Sequence, residues 1–411
     1  MIFDAFDPAQ IQSSNSFLSC NPAYLYEDGG YYDRETPLSN LQDVYSRLGG
    51  SIKVVAQLSS AHEACRPMPA HIAGPDKKFI EKTISHYQQL NENRRRLAPS
   101  MLVEINNAVI WNNCLFVVCG GELLRLYEMH REHDRAEMAS DHLGAALAAV
   151  RNSVVIHPDS NVLFSGSIGS FSYGHWLVDD FCRLAAIPHL TTSIAPMSVV
   201  MSETGAHIDA IRKEGVLAAG HGRTLGEILF VDKNEAHFFP RLFYVTPATY
   251  HPFLKHPQSL RASAEICHRA FAPGASHRNS KRLFINRDVA YRRQLINAVE
   301  VKALLHAHGY QELFPETMTL REQWEAFSFA THVIGIMGAA MTNTLFSGPG
   351  KKLLYLAPDG WIESFYWNLA AMLGQPYSVI YGEPIGESQH HHMSSFRVDL
   401  ALLSDWLDAT H

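Results

Sequence analysis

The chain has 411 residues, too many for one ordinary hydrophobic core, so two domains are expected. With 46% hydrophobic and 18% charged residues it reads as a folded globular protein and not a disordered one. A formal net charge of -7 argues against bulk binding of nucleic acid or anionic membrane, so an anionic ligand must meet a local basic patch.

The start, MIFDAFDPAQIQSSNS, has neither a positive first stretch nor an apolar run, and no signal peptide is expected. No apolar run approaches the roughly 20 residues of a membrane span. The six cysteines, among them Cys114, Cys119 and Cys182 in apolar runs, form no C-x-x-C pair and no zinc spacing. A reducing, cytoplasmic setting is expected, with peripheral contact to the inner membrane if the acceptor is lipid-linked.

In chain order, residues 78–97 read as a helix ending in the basic run Arg94–Arg96. Residues 101–128 read as a β-meander, three apolar runs separated by Asn-Asn and Gly-Gly turns. A helix over 138–150, short strands at 153–156 and 162–164, and a small-residue loop, SGSIGSFSYG, come next. A helix over 175–187, a strand at 197–201, a helix over 208–217 and strands within 225–246 follow. Four prolines between 246 and 280 suggest a connection between domains, with one helix over 260–271. Beyond it, strands at 282–286, 310–314, 332–336, 352–356 and 377–380 alternate with helices, which predicts a parallel, doubly wound sheet. Asn297 with Glu300, and Thr319 with Glu322, have the spacing of N-terminal capping boxes.

Three constellations carry chemistry. Arg278, Lys281, Arg282, Arg287, Arg292 and Arg293 crowd the end of a buried strand, opposed only by Asp288. Arg287 falls just past that strand, where open parallel sheets bind ligands, and a guanidinium holds phosphate oxygens with paired bonds. A solvated basic face is the competing reading. The turn from Gly335 through Met337, Gly338 and Ala339 to Ala340 joins a strand to a helix, and its backbone N–H groups can approach an anion. Thr342 and Asn343 follow on that helix. In SYGHWLVDDFCRL, His175, Asp179 and Arg183 share one helical stripe, where an imidazole or carboxylate could take a proton from a hydroxyl. A structural ion pair between Asp179 and Arg183 is the alternative. A D-x-D motif is absent, and the run His390–His392 is too short to define a metal centre.

The string HWLVDDFCRL resembles the H-W-L-x-[DE]-x-x-x-R-L motif of glycosyltransferase family 61. RLFINRDVAYRRQLINAVEV resembles the family's second motif, and IGIMGAAMTNTLFSGPG its third block. The resemblance covers about 150–385. It implies a GT-B-like α/β fold, two Rossmann-like domains facing a cleft, here with an N-terminal β-meander and helical extension. It also implies inverting transfer from a nucleotide sugar, usually a UDP-sugar. The acceptor is expected to be a glycan, lipid-linked or other hydroxyl, and without D-x-D no metal or other cofactor is expected. Carried over by residue, Asp179 and His175 are catalytic on the acceptor side. Arg287, Arg292, Arg293, Asn297, Gly338, Ala339, Thr342 and Asn343 bind the donor. Met337 stands where the pattern has histidine; if that histidine contacts the donor diphosphate, the contact is missing here.

The expected organisation is an N-terminal region over 1–150 on the acceptor side, the rest of an acceptor domain over 151–255, a nucleotide-sugar domain over 275–385 and a C-terminal tail or helix over 386–411. Asp179 is expected as base with His175 orienting it. A non-catalytic glycan- or nucleotide-binding protein on a degenerate scaffold is the alternative. A nucleotide-sugar epimerase is disfavoured because G-x-G-x-x-G is missing after a first strand.

Overall fold

The computed structural model describes residues 7–19, 23–25, 52–92, 95–97, 99–127, 140–158, 161–190, 196–250, 254–272, 281–287, 293–386 and 391–410. The chain divides into unit 1, Met1–Ala64 with Arg95–Ala270, and unit 2, Cys65–Arg94 with Phe271–His411.

The described strands of the unit 1 sheet are, in chain order, β1 (Gln12–Ser19), β2 (Ile52–Gln57), β3 (Met101–Trp111), β4 (Cys114–Cys119), β5 (Glu122–Tyr127), β6 (Val154–Ile156), β7 (Val162–Phe164), β8 (Met197–Ser202), β9 (Leu225–Val231) and β10 (Ala236–Val245). Their order across the sheet is β1-β5-β4-β3-β10-β7-β8-β9, with β2 on β3 and β6 on β10. The expected meander is present. Asn112 and Asn113 turn β3 into β4 at φ 48° and 60°, and Gly120 and Gly121 turn β4 into β5 at φ 60° and 80°. These are the left-handed values that two-residue hairpins need and that Asn and Gly tolerate. The meander is no separate layer. β3 pairs antiparallel with β10 and extends the parallel set β10, β7, β8, β9 edgewise. Ile105, Ile110, Leu115 and Val117 accordingly share one core with Phe164, Val200 and Phe239. Helices α1 (Ser140–Ser153), α2 (Ala206–Ala219) and α3 (Pro257–Phe271) complete the unit.

Unit 2 holds β11 (Lys281–Ile285), β12 (Tyr310–Leu313), β13 (Ala330–Ile336), β14 (Lys352–Pro358), β15 (Tyr377–Ile385) and β16 (Ser395–Arg397), with α4 (Ala298–Ala307), α5 (Leu320–Ser328), α6 (Ser364–Met372) and α7 (Leu400–Thr410). The order β12-β11-β13-β14-β15-β16 is parallel through β15, and β16 closes the edge antiparallel. The second strand lies on one side of the first and the third on the other, which is doubly wound. The Thr319–Glu322 capping box starts α5 with both reciprocal bonds formed. Residues 400–410, within the C-terminal tail or helix, form α7 and bury Leu403, Trp406 and Leu407 in the unit 2 core.

One local expectation is corrected. The helix expected over 78–97 ends at Glu92, and Arg95–Leu97 is a strand between Ala23–Leu25 and His62–Glu63. Burial of Leu97 and two sets of ladder bonds outweigh local helix propensity there. Before that point the chain visits unit 2. His71–Ala73 adds parallel to β15, and helix Lys77–Glu92 buries Phe79, Tyr87 and Leu90, with Tyr87 4.5 Å from the Trp367 ring on α6.

Candidate functional site

The segment expected as one helix over 175–187 is four pieces: an α-turn Tyr173–His175, a π-turn Trp176–Asp180, a 3-10 stretch Phe181–Ala186 and an α-turn Ile187–Leu190. The physical reason is burial. Asp179, Asp180 and Arg183 are all buried, and each must meet partners outside a regular helix. Asp180 Oδ2 accepts from Ser170 Oγ at 2.7 Å, and its Oδ1 lies 3.6 Å from Arg183 Nε. Arg183 donates to the Asp179 carbonyl and to the Val245 carbonyl, each at 3.1 Å, and its guanidinium lies 5.1 Å from the Tyr244 ring centre. A π-turn inserts one residue into the helical ladder and is a frequent mark of functional segments.

These contacts fix the cluster beyond the C-terminal ends of β7 and β10. Ser165, directly after β7, donates to the Asp180 carbonyl at 3.2 Å, and Val245 is the last residue of β10. Here the strand order departs in opposite directions from β7, the position where doubly wound sheets carry ligands. Asp179 Oδ1 accepts from Thr249 Oγ1, and Oδ2 lies 3.5 Å from His175 Nδ1. The Asp179 side chain is 1% exposed and that of His175 is 20% exposed. The carboxylate is therefore the inner member of the pair and the imidazole the outer one. Asp179 still shares a face with His175 as expected. Thr249 was not foreseen.

In unit 2 the corresponding position lies beyond β11 and β13. Asn286 ends β11 by accepting the Arg287 N–H at 2.9 Å, while its amide donates to Glu312 at 2.8 Å. This fixes where Arg287 leaves the strand. Arg293 has φ 65°, a left-handed backbone that costs strain in a non-glycine residue and concentrates at functional sites. Its Nε donates to the His392 carbonyl at 2.5 Å and Nη1 to the Met337 carbonyl, and the guanidinium lies 4.1 Å over Trp361. Both guanidinium groups converge on Gly338. A Cβ built there would stand 3.4 Å from Arg287 Cζ and 3.4 Å from Arg293 Nη1. Burial first, and then the Arg287 charge, pull Arg293 down to about 10, with Tyr366 and Glu363 opposing. Arg293 thus stays cationic at neutral pH beside a like charge, an arrangement that an anion would relieve. Burial and Glu363 push the Tyr366 phenol up, so it remains a hydrogen-bond donor at neutral pH.

The other expected donor residues are placed as follows. Residues 339–347 form a 3-10 helix in place of the expected α-helix. Met341 N–H is bonded to the Gly338 carbonyl, so the N–H groups of Ala339 and Ala340 precede the first bond within that helix. Thr342 is fully buried with its hydroxyl unpartnered among the described residues, and the Asn343 amide donates to Gln323 at 2.6 Å. Asn297 stands at the N-cap of α4 but makes no side-chain cap bond. Its amide donates to the Val398 carbonyl at 2.8 Å and accepts the Val398 N–H at 3.1 Å, so it ties α4 to the C-terminal segment. Met337, at the family's histidine position, is fully buried. Arg292, Arg278, Asp288, His390 and Arg94 lie outside the described residues.

Residues 173–354 match the family model described as Glycosyltransferase 61, a span that begins two residues before His175 and ends after Asn343. The match supports glycosyltransferase activity, the passing of a sugar from a donor to an acceptor. That span is similar to glycosyltransferase family 61. No curated protein matches the chain. Among the described residues, no helix is long and apolar enough to cross a membrane, and no group of three metal-ligating side chains is present.

Proposed function

We propose that the enzyme transfers a sugar from a nucleotide sugar, a UDP-sugar in the first instance, to a glycan or other hydroxyl acceptor with inversion at the anomeric carbon. A GT-B-like division of labour is part of this reading, donor on unit 2 and acceptor on unit 1. The observation that carries it is the convergence of Arg287 and Arg293 on Gly338 where the unit 2 sheet reverses its strand order. Two fixed cations and the leading N–H groups of residues 339–340 would hold the donor diphosphate and stabilise it as it leaves. With that charge supplied by side chains and no D-x-D in the sequence, transfer needs no divalent metal. Asn297 would serve by holding the C-terminal segment, whose His392 carbonyl anchors Arg293.

On the acceptor side, His175 is the base, because it is the more open of the pair and Asp179 orients its Nδ1 from within. Asp179 is fixed in turn by Thr249. A cytoplasmic enzyme working peripherally at the inner membrane fits a lipid-linked acceptor. The test is calorimetry of the full chain with UDP, GDP, CDP and ADP. Binding of one diphosphate with micromolar affinity is expected, and no binding by any of the four would sink the donor site.

A further inference from the structure

Phe171 is 63% exposed and is the one aromatic among the exposed large hydrophobics of the described residues. A lone exposed apolar side chain is ordinary on a protein surface. The backbone under this one is not ordinary. Ser170 N–H is bonded to the Ser167 carbonyl and Ser172 N–H to the Gly169 carbonyl, each at 3.0 Å. Ser170 Oγ accepts the Ser167 N–H at 2.8 Å and donates to buried Asp180 at 2.7 Å. Gly169 packs so closely on His175 that a Cβ there would lie 3.1 Å from His175 Cβ. A large ring is thus held out into water by a loop tied down on both sides of it, four residues from His175.

The surroundings define what such a ring fits. Its neighbours in sequence are Ser170, Ser172 and Tyr173, and residues 165–173 contain no Lys or Arg. Anionic lipid would call for basic flanks and further apolar side chains. An aromatic face carries negative charge density, and a pyranose ring presents a patch of weakly positive axial C–H bonds bordered by hydroxyls. The part-exposed Ser172 and Tyr173, which carry hydroxyls, match that border. A preordered ring also spares the ordering cost of binding.

We infer that Phe171 is the stacking platform for the sugar ring of the acceptor, and so sets which ring face is presented to His175. This rests on the acceptor-side reading of unit 1. The test is saturation-transfer NMR on the full chain with UDP present. The probes are the methyl pyranosides of glucose, galactose, xylose and N-acetylglucosamine in both anomeric forms. At least one should receive saturation on its ring protons. Phe171→Ala should weaken that sugar at least tenfold, and Phe171→Trp should restore it. Melting temperature and UDP affinity should match the wild type in both variants. If none of the sugars binds, or if Phe171→Ala binds them as the wild type does, the inference is overturned. It is also overturned if Phe171→Ala instead abolishes co-sedimentation with phosphatidylethanolamine–phosphatidylglycerol vesicles. A wild type that binds sugar but not UDP would instead remove the donor site and leave this platform standing.

Discussion

His175 Nδ1 stands 3.5 Å from Asp179 Oδ2 across one π-turn, with the carboxylate sealed inside and the imidazole open. With His175 proposed as base and Asp179 as orienter, the two substitutions should behave differently. His175→Ala should lower kcat by about 10²–10⁴-fold, the scale of general-base catalysis. Asp179→Asn keeps the shape but loses the negative partner of Nδ1. It should lower kcat less than His175→Ala does, because the imidazole stays in place but loses its orienting carboxylate. UDP affinity by calorimetry should be unchanged in both. A dead Asp179→Asn beside an active His175→Ala would reverse the roles.

Arg287→Ala should weaken UDP by about 1–3 kcal/mol, the range of a charge-assisted hydrogen bond. Affinity lost together with stability would instead mark Arg287 as structural.

Two glycines three residues apart should give opposite phenotypes. At Gly335 a Cβ meets Met341 Sδ and lies 2.7 Å from Ile285 Cβ, so Gly335→Ala should destabilise the fold by about 1–3 kcal/mol through overpacking. At Gly338 the added carbon has ordinary contacts, and φ 167° is extended backbone open to any residue. Gly338→Ala should therefore melt like the wild type yet bind UDP more weakly, since the methyl fills the space between the backbone and the two guanidinium groups. Thermal melts and calorimetry on both variants check the pair.

Asn297→Ala removes both bonds to Val398 in a buried position and should cost about 2–4 kcal/mol of stability, two lost buried bonds. Its effect on UDP affinity should follow from loosening of the Arg293 anchor and be smaller than that of Arg287→Ala. A wild-type melt with lost UDP binding would return Asn297 to direct donor contact.

Transfer should survive EDTA, because the positive charge at the donor site comes from Arg287 and Arg293. Activity abolished by EDTA and restored by manganese would contradict this.

The sequence made legible what local chemistry decides. The Asn112–Asn113 and Gly120–Gly121 turns, the Thr319–Glu322 cap and the alternation that winds β11–β15 all depend on residues a few positions apart. So did the position of Arg287, because a ligand site follows a buried parallel strand by topology. What stayed hidden depends on distant partners. Asp179 is paired with Thr249, 70 residues away, and no local pattern predicts that bond or the π-turn that burying neighbouring charges imposes. Asn297 has the local spacing of a cap, yet 101 residues downstream Val398 offers its side chain two bonds. Trp361, which lies under Arg293, carries no motif at all.

The passage of Cys65–Arg94 through unit 2 has a consequence for how the protein can be made. During synthesis, helix Lys77–Glu92 emerges nearly two hundred residues before β11, and its apolar face waits for α6 and β15. Unit 2 cannot close until the last part of the chain has left the ribosome, which lengthens the interval in which that face is open to aggregation or chaperone capture. No single cut yields either half intact. A fragment ending at residue 270 carries an orphan helix, and one starting at 271 lacks the strand that completes β15. Separate expression would require grafting residues 65–94 onto the C-terminal piece and bridging the gap left in the other.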